Sequence, residues 1–445
     1  MTELTLQIFV EQQWHDAAKL QFSEPDKGHN SKVSIIYESK YSAKFYNKNA
    51  QFSPSINFPV SFWPEHQSTW FGFLDDIMPS GSSRRFWVNQ LGIKHLSYSE
   101  QDFVLLKHGA SAPIGNLRIK ESLTQLDETE DEMYFPISDV IELNSDFLEY
   151  AQQQGAAAGG ATGAGGEAPK LLIRYSKEKE IWIDAKQSDL TNNDTHYLVK
   201  FPRNQKSKID CDILRAEYHF YHILNELGFD SINTDKMMLH EGSRYPSVFL
   251  PRFDVYFDEN GINRAGLESV YSILEQPAGK SLNHFGVIET LINKFQEMDK
   301  ESEEDNQFES EAFVIEWVKR DLLNIIFANS DNHGRNTAFI KIKSNIKLSP
   351  IYDFAPMKAD PESITRTTQW GKPYELGGKI QWPQICEKLS DYVEPEKLLN
   401  ELKITAHKCK NILQMMDEKG VPKSIMDMPS LAYHYLEKRM QEQGL

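Results

Sequence analysis

The stretch 312–357, AFVIEWVKRDLLNIIFANSDNHGRNTAFIKIKSNIKLSPIYDFAPM, limits what this chain can fold into more than any other segment. Its first part is apolar at helical spacing, with Phe313, Trp317, Leu322 and Ile326 on one face and Ile315, Val318 and Leu323 flanking it. That pattern predicts a helix pressed into a core. Polar residues then end the helix: Asn329, Ser330, Asp331, Asn332, His333, Gly334, Arg335 and Asn336. Two short runs, 338–343 and 346–349, alternate apolar and polar around Ser344-Asn345 and predict a hairpin, which delivers Asp353 in IYDFAP.

An Asp thus follows a buried helix, an Asn comes five positions later (336 − 331 = 5), and a second Asp follows a hairpin (353 − 331 = 22). Phosphoryl transfer by kinases asks for this order. One Asp orients and deprotonates the attacking hydroxyl, and the Asn and the other Asp supply hard oxygen ligands to a phosphate-bridging Mg²⁺. Taken singly, Asp and Asn are ordinary turn residues. The order is more specific than any member, so the upstream chain has to supply the rest of an ATP site.

Composition sets the outer bounds. A chain of 445 residues has room for two or three domains with ample core. Cys211, Cys386 and Cys409 share no metal-like spacing and read as structural thiols in a reducing cytoplasm. No run approaches the roughly 18 apolar residues of a membrane span, and the start MTELTLQIFVEQQW lacks the basic segment of a signal peptide. A cytoplasmic protein without membrane contact is expected. The net charge of −17 argues against a protein that coats nucleic acid alone, and leaves DNA binding to a basic partner. The acidic clusters 127–131 and 301–305 read as solvated loops.

Residues 1–125 look β-rich, with strands expected at 4–10, 32–38, 42–46 and 116–119. Phe71, Phe73, Leu74 and Ile77 predict a short helix stopped at Pro79; 83–91 predicts a second, and 99–106 a third with Ser99 as its N-cap. The acidic stretch 121–132 marks a boundary.

Every residue from 155 to 166 is Gly, Ala or Thr. Such a run is either a flexible linker or a loop whose bare backbone N–H groups approach phosphates. It leads into a predicted hairpin, KLLIRY (170–175) and EIWIDA (180–185), and then into HYLVKFP (196–202), where Lys200 lies between Val199 and Phe201. A buried ammonium needs an anionic partner, and nucleotide phosphates would be one; an edge-strand Lys facing water is the alternative. A helix at 212–227, closed by Gly228, carries an apolar stripe of Leu214, Tyr218, Tyr221 and Leu224. Its Glu217 is either a solvated helix residue or the ion-pair partner of Lys200. Strands at 234–240 and 245–250 run into Pro251-Arg252-Phe253, a hinge whose backbone would meet an adenine edge. The order of roles is that of an ATP-dependent kinase.

In these motifs the chain resembles the HipA family of serine/threonine kinases, the toxin halves of bacterial toxin–antitoxin pairs. FGFLDDIMPSG (71–81), GGEAPK (165–170), LVKFP, the Glu217 helix, LPRFD (250–254), NSDNHGRN (329–336) and PIYDFAP (350–356) carry the likeness in order. It implies an α+β, two-lobed, protein-kinase-like fold: a β-rich N-terminal subdomain (1–125), an ATP-binding small-lobe region (146–255) and a mostly helical catalytic lobe (256–445). Helices at 396–416 and 428–443 would complete that lobe.

The resemblance implies Asp331 as catalytic base, with Asn336 and Asp353 holding Mg²⁺. Lys200 would contact the α- and β-phosphates of ATP, with Glu217 beside it. Pro251, Arg252 and Phe253 would form the hinge, and Asp254 would lie near the ribose. His333, Gly334, Arg335, Asn336 and Tyr352 would line the nucleotide, and Gly163, Ala164, Gly165, Gly166, Glu167 and Ala168 would form the phosphate loop.

Two departures stand out. The family often carries a self-phosphorylated Ser at this loop, whereas Thr162 is the only hydroxyl here, so Thr162 takes that role, the switch is missing, or the sequence has been altered at this loop. Ala168 follows Glu167 where part of the family has Lys, and Lys170 would compensate. As partners the family implies a HipB-like helix-turn-helix antitoxin that binds operator DNA. As substrate it implies a protein, such as an aminoacyl-tRNA synthetase. Rival readings are a kinase of a small molecule or RNA, and an ATP-binding corepressor with little transfer. Lys379, in GGKIQW (377–382), reads as a surface turn, with DNA contact in a complex as the alternative.

Overall fold

The computed structural model describes residues 2–125, 133–153, 170–187, 190, 193–301 and 308–445. Alternation in the first residues builds a long hairpin, Thr2–Val10 against Gln13–Phe22. Its two-residue turn puts Glu11 and Gln12 at φ 51° and 57°, the left-handed pair that matches strand twist. The hairpin is the middle of a five-stranded sheet with Glu65–Gln67, Val33–Tyr37 and Leu117–Ile119. The strand expected at 42–46 is instead the end of a helix, Ser39–Phe45. Tyr41, Ser42 and Phe45 are its buried residues, a helical rather than an alternating spacing. Helix Tyr98–Gly109 is capped by Ser97, not Ser99, because Ser97 and Glu100 complete a reciprocal capping box.

A second sheet has six strands in the order Met238–Glu241, Pro246–Pro251, Thr195–Lys200, Lys170–Tyr175, Glu180–Trp182 and Phe135–Pro136. Helix Lys208–Glu226 packs against it, starting four residues before the predicted 212 because Ser207 and Asp210 form another capping box. Tyr218, expected in its buried stripe, is only partly buried, and Phe220 and Ile223 are fully buried instead.

The lower lobe is built on helices His284–Glu301, Ser310–Ile326 and Pro395–Lys408. Ser310–Ile326 buries Phe313, Trp317, Leu322 and Ile326 as its spacing requires. The hairpin Ala338–Ile342/Asn345–Leu348 follows, turning at Lys343-Ser344, one residue earlier than expected, with Lys343 at φ 54°. The helix predicted over 396–416 is two, Pro395–Lys408 and Ile412–Lys419, and 428–443 is mostly turn before a short helix Leu436–Glu442. Lys379 lies on a two-stranded hairpin whose Gly377 and Gly378 both have positive φ, and its side chain is exposed. Among the described residues no helix is long and apolar enough to cross a membrane.

Candidate active site

Lys200 ends a central strand, paired on one side with Val248 and on the other with Lys170, so it is not an edge residue. Its side chain is buried, and Nζ donates to Glu217 Oε1 at 2.6 Å and to Asp353 Oδ1. Lys170 Nζ donates to the other Asp353 oxygen at 3.3 Å. The three elements meet because the strand ends over the Glu217 helix and the Ala338–Leu348 hairpin turns Asp353 up beneath them. Tyr221, one turn after Glu217, donates its hydroxyl to Glu217 Oε1 at 3.0 Å and accepts from the Phe354 N–H at 3.2 Å.

Such a buried group is tolerated because its charges answer one another. Burial alone would push Lys200 down, but Asp353 and Glu217 hold it above the ordinary lysine value. Burial would raise Asp353, but Lys170 and Lys200 keep it well below the usual carboxylate range. For Lys170 burial wins, and its ammonium is pushed below the ordinary value. Asp353 itself sits at φ 51°, a left-handed backbone costing on the order of 1 kcal/mol, held by this network.

Asp331 lies in the loop after the buried helix. Its N–H donates to Asn329 Oδ1 at 3.2 Å, and Asn336 Nδ2 donates to the Asp331 carbonyl at 2.7 Å, closing the loop. That bond leaves Asn336 Oδ1 buried with no hydrogen-bond partner. An orphaned amide oxygen and the Asp353 carboxylate are hard oxygen donors of the kind Mg²⁺ takes. The described residues contain no group of three or more His, Cys, Asp or Glu placed to hold a metal ion by themselves, and Mg²⁺ bound mainly through phosphates needs none. His333 Nε2 is 3.5 Å from Asp331 Oδ1, burial lowers its pKa, and its ring stacks on Tyr271. Gly334 is required there: a Cβ would lie 2.7 Å from a Tyr271 ring carbon.

Lys170, Lys200, Glu217, Asp331 and Asp353 line one cavity. A second, more apolar slot adjoins it, with Leu198, Leu250, Phe253 and Tyr352 in its walls and Ile114 reaching in from the N-terminal part. Phe253 is tilted 34° against Tyr352 at 5.7 Å. Pro251, Arg252 and Asp254 also border the slot. The Arg252 N–H is used by the His196 carbonyl at 2.9 Å. The Asp254 carboxylate is buried, held by Arg252 Nε at 3.0 Å and by the Gly115 N–H at 2.7 Å, so it braces the hinge. Arg335 turns its guanidinium toward Asp75, 3.9 Å away, while its carbonyl accepts from the Tyr352 hydroxyl at 2.5 Å. Thr162 and the loop positions Gly163, Ala164, Gly165, Gly166, Glu167 and Ala168 lie outside the described residues.

Apolar spacing places Tyr221 only in the buried stripe; its hydroxyl, four positions after Glu217, is the signal that it also belongs to this network. Ile114 had none, because only the fold brings it to the slot.

Known proteins offer three comparisons. The family model of the HipA-like C-terminal domain matches residues 162–419. The HipA of Shewanella oneidensis, solved with HipB and its operator DNA, superposes with a TM-score of 0.63 at 15% identity, covering 99% of this chain and 96% of that one. The proinflammatory kinase CtkA of Helicobacter pylori matches at a TM-score of 0.36 and 15% identity, over 63% of this chain and 90% of that one. No curated protein sequence matches.

Proposed function

The chain belongs to the HipA family, and from that premise we propose that it is an ATP- and Mg²⁺-dependent protein kinase acting on serine or threonine. The observation that carries this reading is Lys200, bonded to both Glu217 and Asp353 in a cavity that Asp331 also lines. Asp331 takes the proton of the acceptor hydroxyl. Lys200, aimed by Glu217, neutralises the α- and β-phosphates. The apolar slot with Phe253 and Tyr352 receives the adenine ring. Held by Asn336 Oδ1 and Asp353, Mg²⁺ would neutralise charge on the phosphates.

The solved Shewanella HipA is in a complex with HipB and operator DNA. We assign to this chain a HipB-like helix-turn-helix partner that carries it to operator DNA, a division of labour that fits a net charge of −17. Its proposed substrate is a protein of translation such as an aminoacyl-tRNA synthetase, met in the cytoplasm, where three buried free cysteines stay reduced.

The test is transfer of labelled γ-phosphate from Mg-ATP to protein in host lysate. Asp331→Gln should lose transfer while keeping its circular dichroism spectrum and its ATP binding. Transfer undiminished in that variant would remove Asp331 from the role of base.

A further inference from the structure

The segment that follows Asp353 returns to the catalytic loop and is bolted there. Asn332, the residue directly after Asp331, is buried and clamps the backbone of two successive residues. Its Oδ1 accepts from the N–H groups of Thr367 and Thr368 at 3.0 and 3.2 Å, and its Nδ2 donates to the Thr368 carbonyl at 2.7 Å. On the opposite edge, the Leu282 N–H donates to the Thr367 carbonyl at 2.9 Å, and Leu282–Asn283 pairs in parallel with Thr368–Gln369.

Side chains fix the same segment from below. Arg366 spans the buried Asp321 at 3.0 and 3.1 Å and Glu375 at 2.9 Å. The Trp370 indole N–H donates to Asp321 at 2.8 Å. Many kinases order the corresponding segment with a phosphate set against arginine. Here the carboxylates of Asp321 and Glu375 occupy that phosphate's place opposite Arg366, so the segment is rigid without modification.

Every inward polar group of 366–370 named above is spent on this anchoring, while the side chains of Thr365 and Gln369 are exposed. An open, rigid strip tied to the base through one peptide unit suits an extended chain, since small molecules are bound in concave sites. We propose that residues 364–370 are the platform on which the acceptor polypeptide lies, that Asn332 is the residue positioning it against Asp331, and that Thr365 and Gln369 face the residues flanking the acceptor hydroxyl. This rests on the protein-kinase reading above.

The experiment uses the full chain, Mg-ATP and a degenerate peptide library with a central Ser or Thr. Asn332→Ala should raise the peptide KM about tenfold while the ATP KM stays within about twofold, a split that general damage to the loop does not give. Thr365→Arg and Gln369→Arg, both at exposed positions, should shift the flanking preference of the library toward Asp and Glu. Unchanged preferences in both arginine variants would overturn the platform, even if Asn332→Ala fails to fold. Should the wild-type chain phosphorylate no peptide, the protein-kinase reading itself fails and takes this inference with it.

Discussion

The ammonium of Lys200 is bonded to the carboxylate of Asp353 across 153 residues of sequence, and the same ammonium holds Glu217 at 2.6 Å. One cation therefore ties a strand, a helix and the loop after the hairpin to a single point. Lys200→Met removes it and leaves Glu217 buried without a counter-ion and Asp353 with Lys170 alone. We expect a loss of about 3 kcal/mol in urea unfolding, with nucleotide binding abolished. Glu217→Gln keeps the Lys200–Asp353 contact and should cost about 1–2 kcal/mol.

Asp353→Asn should act with opposite sign on two forms of the nucleotide. A carboxylate ligand is lost, so Mg-ATP should bind about tenfold more weakly. Removing the same negative charge leaves Lys170 and Lys200 in excess, so ATP in EDTA should bind more tightly than to the wild type. Titration calorimetry with and without Mg²⁺ reads both. If both affinities fall together, the carboxylate is structural.

Gly334→Ala drives a Cβ into the Tyr271 ring at 2.7 Å, and the catalytic loop has to shift. The expected cost is about 1–3 kcal/mol of stability and most of the transfer activity. The double variant Gly334→Ala/Tyr271→Ala frees that space and should recover part of both. Absence of coupling in this double-mutant cycle would mean that the loop yields elsewhere.

His29 lies between Asp102 and Asp75, with contacts of 2.7 and 2.6 Å. Burial opposes its charge, but the two carboxylates prevail and push its pKa up to about 10. The folded value exceeds the ordinary imidazole value of about 6.5. The resulting stability is therefore complete below about pH 6.5 and is lost as pH rises toward 10. The side chain is 37% exposed, so solvent screens the effect. The urea midpoint should fall between pH 7 and pH 10, and less steeply in His29→Gln. Parallel curves for the two proteins would sink the assignment.

Much of the fold could be read from sequence where one rule dominated. The 313–326 helix and the strand carrying Lys200 follow apolar spacing that nothing competes with; the cost of burying an ammonium calls for an anion beside Lys200, but only the fold decides that Glu217, at 2.6 Å, is one. The break at 409–411 could not be read this way. Leu398, Leu402, Thr405, Cys409, Ile412 and Met416 keep an unbroken alternation of four and three across it, and all are buried. The helix at Ser39–Phe45 was hidden by its aromatic residues, which favour strands until packing decides otherwise. Contacts made only by the chain's return, Ile114 at the apolar slot or Asn332 on Thr367 and Thr368, leave no local mark.

The N-terminal part grips both sides of the cleft. On the small-lobe side Trp14 donates to the Gln187 carbonyl at 3.1 Å and Gly115 to Asp254 at 2.7 Å. On the other side Gly72 donates to Glu275 at 2.9 Å, Ile56 to Glu268 at 3.0 Å, and Asn57 accepts from Lys294 at 2.6 Å. A kinase whose lobes meet only at a hinge swings like a pair of jaws. Here a third body spans the joint, so the jaws cannot open about the hinge without shearing at least one of these fastenings. Breathing of the cleft is therefore a matter of whole-molecule stiffness, and nucleotide exchange should quicken with Gly72→Ala, whose Cβ would lie 2.8 Å from the Ser272 carbonyl oxygen and loosen the fastening to Glu275.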